Sequence, residues 1–153
     1  MQPKTRATHS YRADPDVPDF DETRVLLVMD GQCAICSRAA RRIARLDRDD
    51  RIRITTCSSP LGRALLAHYG FDPSDPASWL MVQDGRAYGS LDAMLRLGGQ
   101  LHAAFKFLNI LCVLPTQVQD WLYAQLARNR YALFGHDDLC ALPPPELKHR
   151  LIE

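Results

Sequence analysis

The chain alternates short apolar runs with helix-period stripes. Arg24 to Met29 contains the run Val25-Leu-Leu-Val-Met29, stopped by Asp30-Gly31, which predicts a buried strand. From Ala34 to about Asp47 the apolar positions Ile35, Ala39, Ile43 and Leu46 recur at helical spacing with arginines between them, so one stripe faces a core. Arg51-Ile-Arg-Ile-Thr-Thr56 alternates with period two and predicts a second strand. Two strands joined by a helix imply a parallel βαβ unit with a right-handed crossover.

Pro60 opens the next helical pattern, where its missing N–H is harmless; Leu61, Leu65 and Leu66 form its apolar side and Tyr69-Gly70 ends it. A loop from Phe71 to Ser78 holds Pro73 and Pro76. Trp79-Leu-Met-Val-Gln83, then Asp84-Gly85, then Arg86-Ala-Tyr88 predicts a hairpin with a type I′ turn. Ser90 can N-cap a helix carrying Leu91, Met94, Leu95 and Leu97, with Gly98-Gly99 as its stop. Two more helices are expected, from Leu101 to Val113 and from Pro115 to Arg128. Residues 1–23 mix Pro3, Pro15 and Pro18 with charges and lack an apolar period, so a flexible tail is expected ahead of a single domain over 24–153. No internal repeat is evident.

A length of 153 residues with 46% hydrophobic content can bury one proper core. A net charge of +1 argues against a dedicated nucleic-acid binder. Charge is less even locally: arginines 38, 41, 42, 45, 48, 51 and 53 face only Asp47, Asp49 and Asp50. This basic segment is either a solvated helix face or a field that favours a nearby thiolate. Five cysteines at irregular spacing do not make a secreted disulfide framework, and the N-terminus shows no apolar signal segment. The stretch Phe105 to Leu114 falls short of the roughly 18 residues a membrane span requires. A soluble cytoplasmic protein is expected, with no cofactor.

The candidate chemistry lies at the first strand-to-helix turn, where Cys33 and Cys36 form a Cys-x-x-Cys pair. At the helix N-cap, Cys33 would meet backbone N–H groups and the positive end of the helix dipole, which favour an anion. It is therefore expected to be the acidic, accessible nucleophile, with Cys36 one turn on, buried and able to close a disulfide. The same pair can serve as half of a zinc site, with Cys57, His136 or Cys140 as partners, in a non-enzymatic binding module. Asp30 is either a proton relay to Cys36 or a turn-forming residue before glycine. Cys57 reads as a resolving or regulatory thiol or as a small buried hydrophobe, and Cys112 as core. Arg128 to Tyr131 reads as helix-terminal charge with an aromatic anchor, or as an anion or partner site. His68, His102 and His149 have no partner visible in the sequence; Trp79, Trp121 and Tyr123 look like core or interface aromatics.

The order βαβαββα with a dithiol at the first turn is the layout of the thioredoxin fold, here an α/β core with additional C-terminal helices. Asp30-Gly31-Gln32-Cys33-Ala34-Ile35-Cys36 resembles the signature of the DCC family of predicted thiol-disulfide oxidoreductases. Gly89-Ser90-Leu91-Asp92-Ala93 is similar to the family's central helix start, and Ala127 to Tyr131 with Phe134-Gly135 and Cys140 resembles its C-terminal block. The resemblance implies a redox role for Cys33 and Cys36, and a protein or low-molecular-weight disulfide as substrate. Two features depart from ordinary thioredoxins. The proline before the third strand, Pro76, lies three residues ahead of Trp79, and the middle pair is Ala34-Ile35 rather than Gly-Pro.

Overall fold

The computed structural model describes residues 3–73, 79–101 and 145–152, with isolated positions between 115 and 135. Its core elements run β1 (Val25–Met29), α1 (Ala34–Leu46), β2 (Ile52–Thr56), α2 (Pro60–His68), β3 (Leu80–Gln83), β4 (Arg86–Gly89) and α3 (Ser90–Leu101). A short helix α4 (Pro145–Lys148) and a two-residue strand β5 (Leu151–Ile152) follow. The sheet order is β4-β3-β1-β2-β5. β1 is parallel to β2, with Val25 opposite Ile52 and Met29 opposite Thr56, and antiparallel to β3, with Leu27 opposite Met81. This is the thioredoxin-like α/β arrangement, with β5 added in parallel beside β2.

Strand β1 is central and buried throughout, so its alternation feeds two cores. Val25, Leu27 and Met29 join Ala40, Ile43 and Ala44 of α1, Ala93 and Leu97 of α3, and Leu147 on one face. Leu26 and Val28 join Leu61, Leu65 and Leu66 of α2, with Tyr69 and Phe71, on the other. Helix α2 begins with Ser59, whose hydroxyl accepts from the Gly62 N–H at 2.9 Å, followed by Pro60 in the first turn. The β3–β4 turn has φ of 51° at Asp84 and 72° at Gly85, the doubly positive pair that a type I′ turn demands.

Two expectations give way. Helix α3 does not stop at Gly98-Gly99 but runs to Leu101. Glycine costs about 1 kcal/mol in a helix, and the packing of Leu97 and Leu101 against the α1-side core carries the helix through both. Residues 3–23 do not hang free either. A single 3-10 turn, Ser10–Ala13, seats Tyr11 at 2% exposure in the α2-side core, with Val17 and Phe20 packed beside it. Isolated anchors of this kind have no period, so pattern reading passes over them. The expected helix over Leu101 to Val113 lies outside the described residues after its first position, while the described positions at 117, 118, 121, 124, 125, 128, 129 and 132 are helical.

The N-terminal end of the parallel strands is closed by charge. Asp47, buried just past α1, accepts from the N–H groups of Arg51 (3.1 Å) and Ile52 (2.9 Å) and pairs with Arg150, which is also buried. Asp50 receives Arg24 and Arg53 at 2.9 Å, Arg150 at 3.0 Å and His149 at 3.1 Å. Hydrogen bonds from Arg53 foremost, then from Arg24 and His149, hold the Asp50 carboxyl well below the usual carboxylate range.

Candidate functional site

At the opposite end of β1 the chain makes a tight turn into α1. The Asp30 carboxylate accepts the Gln32 N–H at 2.8 Å, an Asx turn that bends the backbone out of the strand. Gly31 then passes so close to β2 that an added Cβ would lie 2.9 Å from Thr56 Cγ2. Cys33 follows as the N-cap, in extended conformation at φ −94° and ψ 122°, and its carbonyl accepts from the Ser37 N–H at 2.9 Å to start the helix. The expected strand-to-helix placement of the dithiol is what the chain adopts.

The exposure of the two cysteines is the reverse of the sequence expectation. Cys33 is 0% exposed, whereas Cys36 is only partly buried, against the α1-side core. Capping is a local device: it places Cys33 at the helix start but does not determine what covers that start. In the fold, the Gly135 carbonyl accepts the Ala34 N–H at 3.3 Å, so a distant part of the chain rests on the first helical amide.

Sequence reasoning missed Ser37. It is fully buried, and its Oγ has no hydrogen-bond partner among the described residues. It stands four residues after Cys33, one turn on along α1, but its hydroxyl makes no hydrogen bond to either sulfur in this structure. The signal was present as Cys-x-x-x-Ser spacing. The arginines behave as a solvated face near the dithiol: Arg38, Arg42, Arg45 and Arg48 are exposed, and Arg53 is engaged by Asp50.

Cys57 reaches the same end of the sheet, its N–H donating to the Met29 carbonyl at 2.8 Å. Its side chain, however, packs with the α2-side core while Cys36 packs with the α1-side core. Among the described residues no group of three or more His, Cys, Asp or Glu side chains is arranged to hold a metal ion, so Cys57 does not complete a site with the pair. Cys112, Cys140, His102, Tyr123 and His136, named above, lie outside the described residues, as do Pro76, Arg130 and Tyr131. Trp79 is core, at 6% exposure, but Trp121 is 60% exposed. His149 is a surface residue paired with Asp50, and His68 is buried with two partners that the sequence did not reveal.

The model of the DCC1-like thiol-disulfide oxidoreductases matches residues 27–136, which run from β1 through the dithiol to the segment that meets Ala34. The chain belongs to that family. It is 30% identical over 127 residues to YuxK, an uncharacterized protein of Bacillus subtilis, covering 83% of this chain and 93% of that one. A DCC family protein of Arabidopsis thaliana, named as chloroplastic, is 32% identical over 123 residues, 80% of this chain and 72% of its own. No solved structure gives a significant match. Membership joins a thiol-disulfide redox role to the fold, and no helix among the described residues is long and apolar enough to cross a membrane.

Proposed function

We propose that this DCC family member is a dithiol-disulfide oxidoreductase whose working pair is Cys33 and Cys36. The observation that carries the reading is a Cys-x-x-Cys pair placed at the N-terminus of α1 directly after the central strand. The Cys33 thiolate attacks one sulfur of a protein or small-molecule disulfide, forming a mixed disulfide as the other sulfur leaves as a thiolate. Cys36 then loses its proton and attacks the Cys33 sulfur. This expels the second substrate thiol and leaves a Cys33–Cys36 disulfide, so two electrons pass from protein to substrate. Asp30, at the turn beside the pair, is the proposed acceptor of the Cys36 proton.

Burial of Cys33 adds a condition to this scheme: the contact between Ala34 and Gly135 must open before a bulky disulfide reaches the first sulfur. The resting protein should therefore take a bulky maleimide at Cys36 before Cys33. Turnover reads the opposite order. Incubated with a disulfide substrate, Cys36→Ser should accumulate a mixed disulfide at Cys33, located by mass spectrometry of non-reduced peptides, while Cys33→Ser traps nothing. Trapping only by Cys33→Ser would mean that Cys36 is the attacking thiol.

A further inference from the structure

The ordered N-terminal strap brings Ser10 and Asp14 onto His68, 58 and 54 residues away in sequence, at the end of α2 remote from the redox chemistry proposed above. Ser10 Oγ lies 2.9 Å from His68 Nε2, and Asp14 Oδ2 lies 2.5 Å from His68 Nδ1. The His68 side chain is 3% exposed and that of Asp14 27%. The hydrogen bond to His68 and the N–H of Asp16, which donates to Oδ1 at 3.2 Å, hold the Asp14 carboxyl below its ordinary value. An ionised Asp14 can only accept, so Nδ1 carries a proton, and with this tautomer Nε2 is the ring nitrogen placed to take the proton of the Ser10 hydroxyl.

Two further features act on the same serine. The Tyr69 hydroxyl is buried beside Ser10 with no partner at full hydrogen-bonding geometry among the described residues, and burial, its largest influence, raises its pKa, so it stays a protonated donor. The His68 ring stands edge-on to that of Tyr69, its neighbour in the chain, with centroids 4.9 Å apart, which fixes both. The turn that presents Ser10 is rigid: His9 adopts a left-handed conformation at φ 60°, its N–H donates to the Gly85 carbonyl at 2.7 Å, and only glycine fits at 85 beneath its ring.

We propose that Ser10, His68 and Asp14 form a nucleophilic acyl-transfer site for small carboxylic esters, with Tyr69 as the oxyanion donor. Ser10 Oγ bonds to the ester carbon as its proton moves to His68 Nε2. The alkoxide leaves with that proton, and an acyl-serine remains. Water then adds to the acyl carbon, giving a proton to Nε2; the carboxylic acid departs and the serine regains its proton. No electrons are exchanged, so the site needs no redox partner. Ser10 is only partly buried, and Arg6, whose charge reaches both Asp14 and Tyr69, favours the negative tetrahedral intermediate.

A fluorophosphonate probe tests the assignment on the full chain. Mass spectrometry should find the adduct on Ser10, and Ser10→Ala should lose it while keeping its disulfide exchange. Asp14→Asn, which preserves shape but not the tautomer, and Tyr69→Phe, which keeps the ring in the core, should each slow labelling about 100-fold or more. Thiol-blocked protein should hydrolyse p-nitrophenyl acetate through the same three residues. Folded wild-type protein that takes no label at Ser10, or Asp14→Asn and Tyr69→Phe variants that label at the wild-type rate, would overturn the proposal.

Discussion

The two ends of the β1–β2 pair are built on different principles. At the N-terminal end, Asp47 and Asp50 gather Arg24, Arg53, His149 and Arg150 into a network that joins residues up to 103 positions apart. At the C-terminal end the dithiol turn is held by backbone devices: an Asx turn, a glycine against Thr56 and a carbonyl on the first amide of α1. Charge pairing locks geometry through partners that must all be present. Local fit of this kind depends on the shape of the turn rather than on distant charges. The ion-pair network of Asp47 and Asp50 thus sits at the end of the sheet opposite the Cys33–Cys36 turn.

Asp47→Ala should have the largest effect on stability and little on chemistry. It takes away the buried partner of Arg150, whose side chain is 6% exposed, and leaves that guanidinium only the more exposed Asp50, so it should cost about 3 kcal/mol in denaturant unfolding, while exchange activity per folded molecule holds. A loss of activity beyond the loss of fold would show that the two ends are coupled. Gly31→Ala should cost about 1–3 kcal/mol through overpacking against Thr56, and Thr56→Ser should restore much of it in the double variant. Failure of that rescue would place the strain elsewhere in the turn.

Ser37→Ala sharpens the contrast further. Removing a buried hydroxyl that has no partner among the described residues should leave stability unchanged or raise it, while disulfide exchange measured by stopped flow should slow about tenfold, or about 1.4 kcal/mol. Unchanged kinetics would make Ser37 a packing residue. The smallest effect is that of pH. The Asp50 carboxyl is depressed chiefly by Arg53, so its contribution is present above the unfolded carboxylate value of about 3.9 and is lost as pH falls below it towards the folded value. Because the side chain is 38% exposed, added salt should blunt this acid loss. Asp50→Asn should remove it from the stability-against-pH curve.

Most of the sheet and its helices could be read from periodicity, because Val25 to Met29, Ile52 to Thr56 and the stripe through Ile43 each repeat with the geometry of one element. The position of the dithiol was legible for the same reason. Its exposure was not, since burial of Cys33 goes with a contact to Gly135, far along the chain, and no local pattern encodes that contact. The strap escaped because Tyr11, Val17 and Phe20 are single anchors in a polar segment. Asp47 with Arg150, and His68 with Ser10 and Asp14, are tertiary partners that become visible only when the chain is folded.

Strand β1 lies between two hydrogen-bonded neighbours and has all five residues buried, yet the dithiol turn begins immediately after it. Amide exchange should therefore fall across a sharp boundary. Leu27 and Val28 should exchange only through global unfolding, while Gln32, exposed a few residues on, exchanges through local opening. A turn anchored on one side to the slowest-exchanging strand can be opened and reclosed many times without loosening the sheet. Under the proposed dithiol chemistry, oxidation and reduction of the pair would then leave the strands of the sheet undisturbed.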